Sequence, residues 1–441
     1  MFTNRMIRNL LVPVVLEQIL NSIMGTADTM MVSNVGSAAL SAVSLVDSIN
    51  VLLIQAFSAL AAGGAIVCAQ YIGQRNYEKA NMSARQVLFI ITAISVVVSA
   101  VCLIFQKPLL RLIFGAVDAD VMRASETYFF FTALSFPFIA AYDSAASIFR
   151  AQENTKGPMA ISMISNIMNI GGNAVLIWVF HLGVAGAAIS TLVSRIFCAV
   201  VVLWQLRKDR QPVVVRDYLK IRPDWSMIGR ILGLGIPSGI ENSMFQLGKL
   251  AIQSTVSTLG TAAIAAQAMT NILENLNGIA AIGVGVGLMT IVGQCLGAGR
   301  KDEAVYYIKK LSVIAEAAII VSCLLVFALT GPVTVLGGME PASAKMCFHM
   351  VIWITIVKPI VWTLAFIPAY GLRAAGDVKF SMITSCLVMW LCRFCLCVIL
   401  IRFLEFGTMG VWIGMFADWT VRAVIFTWRF HSRRWLRYKV I

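Results

Sequence analysis

The chain has 441 residues, of which 59% are hydrophobic and only 13% are charged, and its mean hydropathy is +0.84. Ordinary soluble domains carry about twice that charged fraction, so a soluble enzyme is excluded. Disorder is excluded as well, because it requires low hydrophobicity. The composition predicts a polytopic membrane protein.

The formal net charge of +14 raises the question of nucleic-acid binding, since basic chains bind phosphate backbones. Here the Lys and Arg residues stand in short loops between apolar stretches, which is how membrane proteins set their topology. The expected surroundings are therefore a lipid bilayer, and nucleic acid is not an expected partner.

The apolar stretches predict the number of membrane spans, since a helix needs about 20 apolar residues to cross the hydrocarbon core. Runs bounded by charge, Gly or Pro give twelve spans, which centre on residues 10–30, 40–69, 87–106, 126–147, 158–180, 184–204, 228–256, 262–294, 305–329, 347–370, 379–401 and 409–428. The chain is expected to be an all-α protein with twelve transmembrane helices.

The distribution of basic residues predicts the orientation of these spans. Placing the amino terminus inside puts 25 of the 35 Lys and Arg residues on that side and 5 on the other, with five more inside spans. This asymmetry assigns both termini to the cytoplasm. The expected location is the cell (inner or cytoplasmic) membrane, which the chain crosses many times.

The second half of the chain repeats the first at an offset of 224 residues. Identical residues recur over 170 positions: Pro13 and Pro237, Glu17 and Glu241, Gly36 and Gly260, Gly63 and Gly287, Gly183 and Gly407. Arg150 meets Arg373 at an offset of 223. Since six helices return the chain to the same side, the sequence predicts two parallel six-helix bundles with pseudo-two-fold symmetry about the membrane normal. The predicted domains are 1–208 and 225–441, with a cytoplasmic linker at 209–224, and a central cleft is expected between them.

Polar residues inside the spans fall on single helix faces. These stripes are Glu17, Asn21 and Asp28 on the first span; Asn242, Gln246 and Lys249 on the seventh; Gln267, Asn271 and Glu274 on the eighth; Ser162, Asn166, Asn169 and Asn173 on the fifth. They are interpreted either as the lining of a hydrated cavity that binds a proton or cation, or as helix–helix hydrogen bonds. A pairing of Glu241 or Glu274 with Lys249 is a further alternative.

No sequence pattern predicts a cofactor or a metal site. The spacing of Cys392 and Cys395 is CxxC, but it lies in an apolar helix without a second pair, so buried thiols are the better interpretation. No nucleotide-binding signature and no nucleophile–base pair is present, which disfavours an intramembrane enzyme. An ion gradient is the expected energy source.

Several longer segments carry a family resemblance. The first half contains NLLVPVVLEQILNSIMGTADTMMVSNVGSAALSAVSLVDSI and AQYIGQRNYEKA, and the second half contains LGIPSGIENSMFQ, GTAAIAAQAMTNIL and GQCLGAGRKDEA. The chain resembles the MATE (multidrug and toxic compound extrusion) family over essentially its whole length, and is most similar to its DinF-like bacterial and archaeal branch. The resemblance implies export of cationic or amphipathic organic compounds in exchange for H+ or Na+.

The resemblance also implies site residues. Asp28 matches the first-helix aspartate implicated in proton coupling, Asn169 an asparagine of the amino-terminal cation site, and Thr191 its sixth-helix threonine. Asn173 stands where the family pattern has an aspartate, so one carboxylate is missing and Asp28 is expected to be more isolated. Na+ near Asp28 is the alternative to a proton.

The sequence therefore predicts a proton-coupled multidrug antiporter that works by alternating access as a monomer. Protonation of Asp28 is expected to remove the cost of burying its charge and so to favour a second arrangement of the amino-terminal bundle. Glu17, Glu241 and the other polar stripe residues are candidates for a second coupling site or for the cavity lining. The main alternative function is a flippase for lipids or lipid-linked oligosaccharides.

Overall fold

The computed structural model describes all 441 residues, and every regular element in it is a helix. The first half contains α1 (Asn4–Ser33), α2 (Ser37–Gly73), α3 (Tyr77–Ile104), α4 (Gln106–Phe114), α5 (Ala119–Leu134), α6 (Phe136–Ala151), α7 (Lys156–Asn173), a π-helical segment (Ala174–Val179) and α8 (Val184–Leu206). The second half contains α9 (Trp225–Val256), α10 (Thr261–Gly297), α11 (Lys301–Leu336), α12 (Pro341–Ala374), α13 (Val378–Leu387), a second π-helical segment (Val388–Cys395), α14 (Leu396–Arg402) and α15 (Met409–His431). Short 3₁₀ turns lie at Tyr218–Lys220, Ser257–Leu259 and Arg434–Arg437.

Each of the twelve predicted spans coincides with a long helix or with consecutive helical segments. Ten of them are long and apolar enough to cross a membrane, and an eleventh is the pair α5 and α6, which bends by 41°. The twelfth is α9, whose 32 residues include Arg230, Glu241 and Lys249. Helices satisfy their own backbone hydrogen bonds, which is the condition for crossing a bilayer.

The chain forms two compact units. The amino-terminal unit comprises Asn4–Gly239, and the carboxyl-terminal unit comprises Ile240–Val440 together with Met1–Thr3. Helix α9 begins in the first unit and ends in the second, next to its internal Pro237. The predicted domain limits at residues 208 and 225 stay predictions.

Corresponding turns in the two units have the same backbone geometry. Gly183 precedes α8 with φ +60°, and Gly407 stands two residues before α15 with φ +61°. A side chain is strained in this left-handed region, so glycine is the residue that fits. The sequence repeat is therefore matched by a repeat in local structure.

Close packing in the amino-terminal unit depends on glycines that bring backbones together. A Cβ placed on Gly235 of α9 would lie 2.9 Å from Cα of Leu60, and one on Gly63 would lie 2.6 Å from the Gly235 nitrogen. Small residues at such crossings are how membrane helices gain van der Waals contact. This contact fixes the start of α9 against α2.

Candidate functional site

The amino-terminal unit contains a buried ion pair between α1 and α6. Nη2 of Arg150 lies 3.1 Å from one carboxylate oxygen of Glu17 and 3.2 Å from the other, and the hydroxyl of Tyr142 donates to Glu17 at 3.2 Å. The Glu17 side chain is only 2% exposed. These contacts neutralise the carboxylate that the sequence places in the membrane.

The carboxyl-terminal unit contains the corresponding pair. Nη2 of Arg373 donates to Glu241 at 2.6 Å, and the hydroxyls of Ser385 and Ser381 donate to the same carboxylate at 2.7 and 3.3 Å. The alternative pairing of Glu241 with Lys249 was wrong, because Arg373 lies one helical layer closer on α12. The repeat itself carried the signal: Glu17 recurs as Glu241, and Arg150 as Arg373.

Asp28 on α1 lies against the end of α7. The side-chain amide of Asn173 donates a hydrogen bond to its carboxylate, and Asn173 is fully buried. Asp28 also interacts electrostatically with Arg195 of α8. The expectation that Asn173 would leave Asp28 isolated was wrong, since an amide of similar shape keeps the contact while removing the second negative charge.

Two further carboxylates belong to this group, which we call the acidic centre: Asp28, Asp47, Asp143 and Arg195. Asp47 of α2 accepts hydrogen bonds from the Tyr128 hydroxyl at 3.1 Å and from Asn50 at 3.3 Å, and Asp143 of α6 accepts one from Ser58 at 2.6 Å.

Arg195 interacts electrostatically with all three carboxylates and donates to Ser135, at the bend between α5 and α6, at 2.6 Å. The acidic centre therefore carries two more negative than positive charges. Sequence reasoning missed the roles of Asp47, Asp143 and Arg195, because nothing in their spacing relates them to Asp28; only their positions inside spans gave a signal.

The other predicted residues of the amino-terminal site make different contacts. The Ser190 hydroxyl donates to the carbonyl oxygen of Asn169 at 2.8 Å and to its side-chain oxygen at 3.0 Å. The Thr191 hydroxyl donates to the Ala187 carbonyl of its own helix at 3.1 Å. Asn21 accepts hydrogen bonds from Ser162 at 2.9 Å and Asn166 at 3.0 Å, which ties α1 to α7. Of the predicted set, only Asn173 contacts Asp28 directly.

Glu274 of α10 forms an ion pair with Lys358 of α12. Nζ of Lys358 donates to the Glu274 carboxylate at 2.7 Å and to its carbonyl oxygen at 3.0 Å, and the lysine is fully buried. Nζ also lies 5.4 Å from the ring centre of Trp362 and 5.7 Å from that of Trp419, within range of cation–π attraction. The alternative pairing of Glu274 with Lys249 was therefore wrong as a direct contact, although the two interact at longer range.

A second ion pair lies on α15. Nε of Arg422 donates to Asp418 at 2.8 Å, and its Nη1 donates to the Ser385 hydroxyl at 2.9 Å. Because Ser385 also binds Glu241, this serine links the two ion pairs of the carboxyl-terminal unit. The other oxygen of Asp418 lies 4.0 Å from Arg393.

Lys249, Glu274, Lys358, Arg393, Asp418 and Arg422 form a second group, which we call the basic centre. Lys249 interacts electrostatically with Arg393, Glu274 and Lys358, and Arg393 in turn with Asp418 and Arg422. Four cations stand against two carboxylates, so this centre carries two more positive than negative charges.

The remaining predicted residues of the carboxyl-terminal unit lie near this centre on α9 and α10. Asn271 accepts a hydrogen bond from Gln267 at 3.4 Å, and Gln267 accepts one from the Trp412 indole at 3.0 Å. Gln246 is half-buried on α9, one turn before Lys249. These amides connect α10 to α15 and fit the helix–helix alternative given above.

Both centres stand beside a π-helical segment. Asn173 directly precedes Ala174–Val179, and Arg393 lies within Val388–Cys395. Single π-helical turns inside α-helices occur mostly at functional sites. The widened turns therefore mark the same two places that the charges mark.

Comparison with known proteins identifies the family. A family model described as MatE matches residues 13–175 and 237–399, and the two matches begin 224 residues apart, at the offset of the internal repeat. "Uncharacterized transporter YisQ" of Bacillus subtilis is 26% identical over 433 residues, which cover 96% of this chain and 93% of that protein. "Probable multidrug resistance protein NorM" of Thermotoga maritima is 24% identical over 441 residues, which cover 98% of this chain and 93% of that protein.

The fold is shared with a solved structure described as the crystal structure of MATE in the bent conformation. It is 19% identical, with a TM-score of 0.86 over 97% of this chain and 95% of that one. The predicted all-α, twelve-helix fold and the predicted family are thereby confirmed. This is a family of transporters and not of enzymes, and the chain belongs to it.

Proposed function

We propose that this chain exports cationic or amphipathic organic compounds in exchange for protons, and that Asp28 binds the proton. The observation that carries the proposal is the acidic centre, where Asp28 meets Asn173 and shares Arg195 with two other carboxylates. Relatives that bear the name of multidrug resistance proteins support the substrate class.

The acidic centre gives protonation a physical effect. An ionised carboxylate in the membrane costs at least about 2.5 kcal/mol on insertion scales unless it is compensated. Arg195 supplies one positive charge for three carboxylates, so the centre is undercompensated when all are ionised. A proton on Asp28 removes one charge and weakens the attraction between α1 and α8.

Proton binding at Asp28 therefore changes how strongly the second half of α1 is held. A ligand shifts a conformational equilibrium only by its differential affinity for the two states. In our proposal the protonated and ionised forms of Asp28 favour different arrangements of the amino-terminal unit, and the exported compound binds preferentially to the ionised one. Proton and compound then compete, which couples export to the proton gradient.

A proton is favoured over Na+ as the coupling ion because of Asn173. Na+ sites in proteins draw on oxygen ligands and negative charge, and Asn173 directs its amide at Asp28 instead of adding a carboxylate. We further propose that the protein acts as a monomer in the inner membrane with both termini in the cytoplasm, as the distribution of Lys and Arg indicates.

Ethidium transport by the purified protein in liposomes tests the proposal. A pH gradient and a Na+ gradient are imposed separately, on the wild type, on Asp28→Asn, and on Asp118→Asn, which removes an exposed carboxylate before α5. We expect the pH gradient alone to drive ethidium, Asp28→Asn to abolish this movement, and Asp118→Asn to leave it intact. Movement driven only by Na+, or a wild-type rate in Asp28→Asn, contradicts the proposal.

A further inference from the structure

Basic side chains inside the spans are concentrated in one unit. Of the five Lys and Arg residues within the predicted spans, only Arg195 belongs to the amino-terminal unit, and the other four are in the basic centre: Lys249, Lys358, Arg393 and Arg422. A buried cation is as costly in a membrane as a buried carboxylate, so each requires compensation. Loops that set topology do not explain these four residues.

Internal ion pairs compensate only two of the four cations. Lys358 takes the carboxylate of Glu274, and Arg422 takes one oxygen of Asp418. Lys249 has no carboxylate within ion-pair distance, and Arg393 approaches Asp418 only at 4.0 Å. Two positive charges thus remain without a partner of opposite charge in direct contact.

The Arg393 guanidinium is buried with most of its donors unused. The residue is 5% exposed, its Nε and Nη1 make no hydrogen bond, and its Nη2 donates only to the sulfur of Met415 at 3.4 Å. Guanidinium groups offer five N–H donors in a planar fork that matches carboxylate and phosphate oxygens. A buried guanidinium with free donors is costly unless an acceptor binds to it.

Packing holds Arg393 in place. A Cβ on Gly414 of α15 would lie 2.9 Å from the Arg393 carbonyl oxygen, so α15 approaches its backbone as closely as a glycine allows. The Phe245 ring lies 5.3 Å from the Arg393 guanidinium carbon and 4.9 Å from Nζ of Lys249. One ring therefore positions both uncompensated cations.

Lys249 gives this arrangement an accessible side. It is exposed on α9, whereas Arg393 and Lys358 are buried behind it. A group that enters past Lys249 meets a preformed set of donors and need not order them first. Preorganisation of this kind raises affinity by lowering the entropic cost of binding.

We propose that Lys249 and Arg393, supported by Lys358, bind an oxyanion group of the transported molecule, a carboxylate or a phosphate. The exported class would then be amphipathic molecules that carry such a group, alone or together with a cationic one. The inference rests on the proposed function, because it names the cargo of that same transporter.

A matched pair of dyes tests the oxyanion site. Rhodamine 123 is a cationic methyl ester, and rhodamine 110 is the same ring system with a free carboxylate. Their binding to the purified protein in detergent is measured by fluorescence anisotropy, without any gradient. We expect the wild type to prefer the acid, and Arg393→Gln and Lys249→Gln each to lower the acid-to-ester affinity ratio at least tenfold.

Three controls make the result interpretable. Arg393→Lys keeps the positive charge and should retain part of the preference, which a folding defect would not. Lys345→Gln removes an exposed lysine from the same helix as Lys358 and should leave the ratio at its wild-type value. Adding phosphatidylglycerol, against phosphatidylcholine, tells whether a lipid phosphate displaces the acid dye or only soluble carboxylates do.

The outcomes separate this inference from the proposed function. A wild type that binds both dyes equally, or variants that lose both dyes in parallel, overturns the oxyanion site. Selective binding of the acid by a protein that moves neither dye along a pH gradient contradicts the proposed function instead and leaves the oxyanion site standing.

Discussion

The two units share a repeated sequence, but their charged centres have opposite signs. The ion pairs Glu17–Arg150 and Glu241–Arg373 occur at corresponding positions and have similar geometry. The acidic centre carries two excess negative charges, whereas the basic centre carries two excess positive charges. What the repeat keeps is the framework, and what it changes is the chemistry at the π-helical turns.

The reversal of charge can be followed residue by residue along the repeat. At the offset of 224, Arg195 of the acidic centre corresponds to Trp419, and Asn169 corresponds to Arg393. The first substitution removes a cation from the second unit, and the other adds one at the π-helical segment. A duplicated bundle can therefore keep its packing and take up a different ligand in each half.

The largest effect on stability is expected from breaking a repeated ion pair. Glu241→Gln leaves Arg373 buried without its carboxylate and should lower the free energy of unfolding by about 3–5 kcal/mol. Unfolding is followed in detergent, with Glu316→Gln on α11 as the control for losing a half-buried carboxylate. Equal stability of the two variants would show that the pair contributes nothing.

The same experiment on Glu17→Gln sharpens the comparison between the units. Because Arg150 and Tyr142 surround Glu17 much as Arg373 and Ser385 surround Glu241, the two losses should be of similar size. A stable Glu17→Gln variant that has lost gradient-driven transport would instead give the first pair a role in coupling.

A smaller effect is expected from restoring the carboxylate that the family pattern has in the acidic centre. Asn173→Asp places a second carboxylate against Asp28, and two close carboxylates hold a shared proton or a cation more tightly than one. The variant should be stabilised by Na+ relative to K+ in thermal unfolding, whereas the wild type should not distinguish them. Equal responses of variant and wild type to both ions would refute this expectation.

The smallest effect is expected from Gly278→Ala in the basic centre. The added methyl group would lie 3.3 Å from Nζ of Lys358, so the lysine must shift slightly against Glu274. Overpacking of this kind costs about 1 kcal/mol, partly offset by the better helix propensity of alanine. Gly331→Ala on α11, which meets no neighbour within 4 Å, is the matched control and should unfold no earlier than the wild type.

Much of the framework could be predicted from the sequence, because length, hydropathy and the offset of 224 residues each act along the chain. The twelve spans, the family and the equivalence of Glu17 with Glu241 follow from such patterns. The partners of Glu241 and Glu274 could not be predicted, since Arg373 and Lys358 are 132 and 84 residues away. Asp47, Asp143 and Arg195 come together with Asp28 only through packing of α1, α2, α6 and α8.

The division of roles between the two centres is tested most directly by dye uptake into liposomes with an acidic lumen. Initial rates are measured for rhodamine 123 and rhodamine 110 with the wild type, Asp28→Asn and Arg393→Gln. We predict that Asp28→Asn abolishes gradient-driven uptake of both dyes, whereas Arg393→Gln lowers the rate of the acid relative to the ester. Uptake that survives Asp28→Asn, or an acid-to-ester ratio unchanged by Arg393→Gln, would contradict the assignment of proton coupling to one unit and oxyanion binding to the other.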